Sequence, residues 1–203
     1  MEKAKKDYEE VIKDCDEAIR FNPKDAEAYK KRGDAKFTLG DKEEAIKDYD
    51  KAISLNPKDA NAYKKRGDAK FALGNKEGAI RDFDEAISLN PKFVYAYNNR
   101  GRAKLALGDY DGAKKDFGEA IRLNPQFANA YYNRGNAKIS IDDFIGAKKD
   151  YDEAIRLDPK FAEAYRNRGF AKGILGDKAG ELTDLSTAGK LGDAIAYDKK
   201  NTK

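Results

Sequence analysis

Between Asp7 and Pro23 the apolar residues Tyr8, Val11, Ile12, Cys15 and Ile19 are spaced so that they line one face of a helix, with charged residues filling most positions between them. A like pattern returns in "AIKDYDKAISL" (45–55) and in later copies, each ended by Asn-Pro or Asp-Pro. The prolines, Pro23, Pro57, Pro91, Pro125 and Pro159, stand 34 residues apart. Because a residue before proline is pushed out of the α region, each pair marks a helix end. A fixed period of this size predicts a stacked array of like units. Copies 26–59 and 60–93 are identical at 26 of 34 positions, so the chain can be read column by column.

Each copy reads helix, tight turn, helix, tight turn. The first helix ends at Leu39-Gly40, Leu73-Gly74, Leu107-Gly108 or Leu175-Gly176, glycine supplying the left-handed residue that closes a helix. A candidate N-cap follows: Asp41, Asn75, Asp109, Asp143 or Asp177. The expected boundaries are a half repeat at 7–25 holding a second helix alone, and full repeats at 26–59, 60–93, 94–127, 128–161 and 162–192. A short closing helix at 193–201 and a tail at 202–203 complete the expected array. In the last copy the small-residue column falls on Glu181, as suits a terminal repeat that stops a stack.

A 34-residue helix-turn-helix with Tyr four positions before Gly, small Ala columns in its second helix and a closing Pro resembles the tetratricopeptide repeat, over nearly the whole chain. Tyr stands where the family often has Trp, and Arg where it usually has Leu just before the Gly, making a Tyr/Arg-Gly variant. The resemblance implies an all-α fold, a right-handed α-solenoid of antiparallel helix pairs. It also implies a non-catalytic protein-interaction scaffold.

At 100° per residue the first helix sorts into two faces. Near-constant columns headed by Ala28, Tyr29, Arg32, Gly33, Ala35, Lys36 and Leu39 fill an arc of roughly 160°. Varying columns headed by Glu27, Lys30, Lys31, Asp34, Phe37 and Thr38 fill an opposite arc of roughly 120°. Gly33, Gly67, Gly101, Gly135 and Gly169 each cost their helix roughly 1 kcal/mol relative to Ala, so a neighbouring helix is expected to approach closely there, beneath the tyrosine ring. The arginines Arg32, Arg66, Arg100, Arg134 and Arg168 lie on the packing side and need partners. A constant acidic column, Asp48, Asp82, Asp116, Asp150 and Asp184, suggests a structural ladder; the alternative is arginines reaching solvent over the tyrosine rings. The lysine column from Lys36 to Lys172 is expected to lay its stem on the protein and solvate its head.

The varying face changes character along the chain. Copies one and two show Lys30, Lys31, Asp34, Lys64, Lys65 and Asp68, read as a solvated charged surface. Later copies show Tyr95, Asn98, Asn99, Arg102, Asn129, Tyr132, Asn133, Asn136, Arg166, Asn167 and Phe170. Aromatics, arginines and amides together read as a peptide-binding concave face. Asn99, Asn133 and Asn167 share one column, and some tetratricopeptide proteins grip an extended peptide main chain with an asparagine ladder that these positions resemble. The family's Lys/Asn/Arg clamp for a chaperone carboxylate fits less well, since Tyr132 stands where its first Lys would be. The expected ligand is a protein or peptide of acidic or mixed charge. The alternative function is a structural, self-assembling module that associates through the uncovered half repeat at 7–21.

Composition narrows the chemistry further. With no His and one Cys, the chain cannot build a Cys/His zinc site or a catalytic arrangement that needs imidazole. No phosphate-binding or nucleophile-elbow motif occurs, and "DYDGAKKDFGEA" at 109–120 lacks an oxygen ligand for a calcium loop. No enzyme activity, metal or cofactor is expected. The 41 Lys and Arg are interleaved with 37 Asp and Glu, which argues against a nucleic-acid stripe. Arg32-Gly33-Asp34 and its copy at 66–68 spell an adhesion tripeptide, but lie mid-helix with Arg turned inward. Without a membrane-length apolar run or export signal, a soluble cytoplasmic protein is expected.

Overall fold

The computed structural model describes residues 2–195 and is all-α, with eleven helices among the described residues. These are α1 (Glu2–Phe21), α2 (Ala26–Leu39), α3 (Lys42–Leu55), α4 (Ala60–Ala72), α5 (Lys76–Leu89), α6 (Val94–Ala106), α7 (Tyr110–Leu123), α8 (Ala128–Ile139), α9 (Phe144–Leu157), α10 (Ala162–Ile174) and α11 (Lys178–Lys190). The chain divides into two compact units, 1–103 and 104–203. In the first, α2 packs on α3, α4 on α5, and the pairs meet through α1 with α2 and α3 with α4. In the second, α8 packs on α9 and α10 on α11, joined through α7 with α8 and α9 with α10. No helix among the described residues is long and apolar enough to cross a membrane.

At the N-terminus, α1 begins at Glu2 rather than Asp7, because the intervening residues are mostly helix formers and nothing breaks the run. At the other end Ala194 and Ile195 are helical; the rest of the expected closing helix, 196–201, and the tail at 202–203 lie outside the described residues.

Alanine columns bring the helices together, and one aromatic column fills the space between them. Tyr49 packs with Ala45 and Ala69, Phe83 with Ala79 and Ala103, and Phe117 with Ala113 and Ala137. Tyr49, Phe83, Phe117 and Tyr151 are essentially fully buried. This column explains the helical glycines and corrects the expected cause. A Cβ placed on Gly33 would fall 2.8 Å from the Tyr49 ring, on Gly67 2.7 Å from Phe83, and on Gly135 2.6 Å from Tyr151. The close ring therefore comes from the second helix of the pair, not from the first helix's own tyrosine.

Turns follow the sequence pattern with two differences. The glycines after the first helices are left-handed, Gly40 at φ 98° and Gly74 at φ 83°, but the fourth copy uses Asp142 at φ 59°. Asn75, Asp109, Asp143 and Asp177 cap their helices by accepting from the backbone N–H of Gly78, Gly112, Gly146 and Gly180. Asp41 makes no such bond; its copy carries Glu44 where the others have glycine.

Candidate functional site

The first helix of each pair carries two faces with different chemistry. On the packing side, arginine Nε donates to an aspartate of the following helix: Arg32 to Asp48 at 3.0 Å, Arg66 to Asp82 at 2.9 Å, Arg134 to Asp150 at 2.9 Å and Arg168 to Asp184 at 2.8 Å. A second nitrogen reaches the same carboxylate in each case. These forked, charge-assisted bonds account for aspartates buried in a helical core. Hydrogen bonding by Asp48 raises the pKa of Arg32 further above its already basic range, outweighing the opposing effect of burial.

The arginines also lie over the tyrosines, with the Arg32 guanidinium carbon 5.4 Å from the Tyr29 ring centre and Arg168 5.3 Å from Tyr165. Pairing and stacking thus coexist, since a guanidinium offers its edge to a carboxylate and its face to a ring. The lysine column departs from its expected role. Lys36, Lys70, Lys104, Lys138 and Lys172 place their ammonium groups 2.8–2.9 Å from Asp48, Asp82, Asp116, Asp150 and Asp184. A buried carboxylate shared with arginine outcompetes solvation of the lysine head.

A second acidic column was missed in the sequence. Arg32, Arg66, Arg100 and Arg168 also reach Asp16, Asp50, Asp84 and Asp152. The corresponding position before Arg134 is Gly118.

The varying face of copies one and two is paired rather than simply solvated. Lys30 lies 2.7 Å from Asp59, Lys65 2.8 Å from Asp34 and Lys64 2.7 Å from Asp68, all half-buried. Asp34 also accepts from the Tyr49 hydroxyl at 2.8 Å. Burial, followed by the Asp34 charge, pushes that hydroxyl far above its ordinary range.

Of the residues predicted to bind peptide in unit 1, Tyr95 and Arg102 are exposed, and Arg102 stacks 5.3 Å from the Phe71 ring. Asn98 is 5% exposed, so it faces the protein and is withdrawn from the expected surface. Asn99 donates to Asp68 at 2.7 Å and accepts from Asn98. Tyr95 also lines a cleft of about 660 Å³ with Asn61, Lys64, Asn90 and Phe93 among others.

In unit 2, Asn129 is exposed, while Asn133 and Asn136 are half-buried. Tyr132 is half-buried too, stacked 4.7 Å from Phe161, so it is a packing residue more than the exposed anchor expected. The aromatic turn residue Phe161 offers it a better surface than water does. Asn167 donates to Asn136 at 2.9 Å and to the Tyr132 hydroxyl at 3.3 Å. Arg166 lies 3.4 Å from Asp193. Phe170 is 44% exposed and meets Phe144 edge-on. Arg166, Asn167 and Phe170 converge with Glu181, Leu185 and Ile195 on a cavity of about 230 Å³. No group of three or more metal-binding side chains gathers among the described residues.

With this geometry, comparison with known proteins is direct. Sequence models of the TPR repeat match residues 33–74, 67–108 and 101–139, and one of the tetratricopeptide repeat matches 128–161. The chain belongs to the tetratricopeptide repeat family, whose members are non-catalytic helical-repeat proteins. Among solved structures it is similar to MamA, at 27% identity over 81% of this chain and 96% of that one, with a TM-score of 0.73. It is similar also to YrrB, described as a TPR protein with an unusual peptide-binding site, at 21% identity over 92% and 97% of the two chains and a TM-score of 0.71. PilF of Pseudomonas aeruginosa aligns at 16% identity over 98% and 96%, with a TM-score of 0.80. The last two likenesses speak to fold alone. No curated protein matches the sequence.

Proposed function

We propose that this protein is an interaction scaffold that takes an extended peptide segment on the varying face of its first helices, with α10 carrying the main contact in unit 2. The observation behind this reading is the cavity where Arg166, Asn167 and Phe170 meet. Asn167 engages its donors with Asn136 and Tyr132, while its carbonyl oxygen accepts no hydrogen bond among the described residues. That oxygen is held in place and free to accept a peptide N–H. Phe170 offers an exposed ring beside it, and Arg166 adds positive charge, favouring an acidic or mixed segment. Unit 1 offers Tyr95 and Arg102 as exposed contacts of the same kind. YrrB has a peptide-binding site on a related fold, which makes peptide binding a reasonable use of the scaffold without assigning its residues.

A peptide array followed by fluorescence anisotropy tests the reading. Asn167→Ala removes one accepting oxygen and is expected to weaken a selected peptide by about threefold to tenfold. Phe170→Ala should weaken it by about tenfold or more. Affinity unchanged by both substitutions, in chains of unaltered helicity, would remove α10 from the binding surface.

A further inference from the structure

The 34-residue period places Asp14 in the same column as Asp48, Asp82, Asp116, Asp150 and Asp184. Each of those five receives a lysine from a first helix, and Asp48, Asp82, Asp150 and Asp184 hold an arginine fork as well. Asp14 has neither hydrogen bond nor ion pair among the described residues. Its neighbour Cys15 occupies the column that holds Tyr49, Phe83, Phe117 and Tyr151. Val11, Cys15 and Ala18 of α1, with Ala28 of α2, line a cavity of about 380 Å³ rimmed by Asp14, Asp25, Glu27 and Lys31. Tyr8 and Val11 beside it are exposed.

In the full repeats a first helix covers the equivalent face, and Leu39-Gly40-Asp41 or its counterpart turns the chain back to supply it. The corresponding residues here are Lys5-Lys6-Asp7, and α1 runs through them without a turn. The helix that fits this face is therefore not supplied by the usual hairpin. Its chemistry can be read from the ladders of the full repeats. An arginine and a lysine four positions on would pair with Asp14, as Arg32 and Lys36 pair with Asp48. Cys15 is much smaller than Tyr49, so the position after the arginine, glycine elsewhere, has room for an apolar side chain. On the rim Glu27 already pairs with Lys30 and Asp25 caps α2, which leaves Asp14 as the carboxylate open to a partner's cations and favours a basic helix.

We propose that the exposed edge of α1 and α2 is a docking site for a basic amphipathic helix of a partner protein, with the pattern Arg, apolar, two residues, Lys. The probe is a labelled synthetic peptide of the α4 sequence, residues 60–74, carrying Gly67→Leu to fill the space over Cys15. It is read by anisotropy against the full chain and by the rate of thiol modification at Cys15, the single cysteine. The expected result is binding about tenfold tighter than that of the same peptide with Arg66→Glu and Lys70→Glu. Cys15 modification should slow several-fold at saturation, to an extent set by the fraction bound. In the full chain, Asp14→Lys should reverse the preference between the two peptides, and because Asp14 is exposed and unpaired the fold should tolerate it. Equal affinity for both peptides, no preference reversal, or unprotected Cys15 would overturn the proposal. Sedimentation showing that the chain alone dimerises, and that Asp14→Lys abolishes the dimer, would also overturn it and assign the face to a second copy.

Discussion

In the first unit, the varying columns of the first helices are tied by charge, Lys30 to Asp59, Lys65 to Asp34 and Lys64 to Asp68. In the second, the same columns hold Tyr132 against Phe161 and Asn167 against Asn136. The frame beneath is alike: a forked arginine, a buried aspartate, a paired lysine and an aromatic ring seated on glycine. Constant columns thus carry the fold, and the varying face can change from ionic to amide and aromatic without disturbing it. One limit on that freedom is visible in both units. The Tyr49 hydroxyl donates to Asp34 and the Tyr151 hydroxyl to Asn136, each at 2.8 Å, so beneath a tyrosine the varying column must still offer an acceptor.

The largest effect should come from breaking the shared frame. Asp82→Ala in unit 1 leaves Arg66 and Lys70 without their buried carboxylate, and Asp150→Ala in unit 2 does the same to Arg134 and Lys138. Removing one side of such a buried pair costs about 3 to 5 kcal/mol, read as a fall in urea midpoint. Arg66 keeps Asp50, whereas Arg134 has Gly118 in that column. Asp150→Ala should therefore be the more destabilising of the two. The reverse order would show that the second acidic column adds nothing to the frame.

The repeat, its helices and most turns were legible because proline, glycine and the apolar period each mark a backbone event. The Arg and Asp columns were legible because a charge on a packing face requires a partner. The Tyr49 column was overlooked because, read alone, a tyrosine or phenylalanine in a charged helix gives no sign that it is seated on a glycine sixteen residues earlier. The lysine column misled for a related reason: solvating its head is the ordinary outcome, and only the depth of the aspartate reverses it. The surface residues were the least legible. Tyr132 differs from an exposed residue through what the next turn places against it, Phe161, and helical periodicity does not report that.

Acid should separate the two units locally. Asp59 is half-buried, and that burial alone would raise its carboxyl, but Lys30 and the amides of Ala62 and Asn61 outweigh it and hold the group below the usual range. A depressed carboxylate contributes stability above its unfolded pKa, about 3.9, and loses it as pH falls through the folded value. For Lys30, burial opposes the charge but the Asp59 hydrogen bond raises it overall, so that contribution is lost only as pH rises through the folded value, above about 10.4. In unit 2 the Tyr132–Phe161 contact contains no carboxylate. Hydrogen exchange at Ala62, three residues after Asp59, should therefore lose more protection between pH 6 and pH 3 than exchange at Ala164, three residues after Phe161, by about 1 kcal/mol at most. Lys30→Met should remove most of the difference. Equal acid loss at both amides would mean that the ionic contact of unit 1 is no weaker under acid than its aromatic counterpart.

The smallest effect concerns the turns. Unit 1 closes its first helices with Gly40 and Gly74, while unit 2 uses Gly108 and Gly176 but also Asp142, at φ 59°. An L-residue in this region crowds its Cβ against backbone, a cost that Asp tolerates better than most residues but does not escape. Asp142 is exposed and makes no side-chain hydrogen bond or ion pair among the described residues, so Asp142→Gly sacrifices no contact. Glycine loses more conformational freedom on folding, which reduces the gain without cancelling it where φ is positive. The expected net stabilisation is about 0.5 kcal/mol, a rise of roughly 1 to 2 °C in melting temperature for a chain of this size. The converse change, Gly74→Asp, should lower it by a similar amount, because that glycine occupies the same turn position at φ 83°. A fall in melting temperature on Asp142→Gly would mean that the aspartate side chain stabilises its turn by more than the strain it brings.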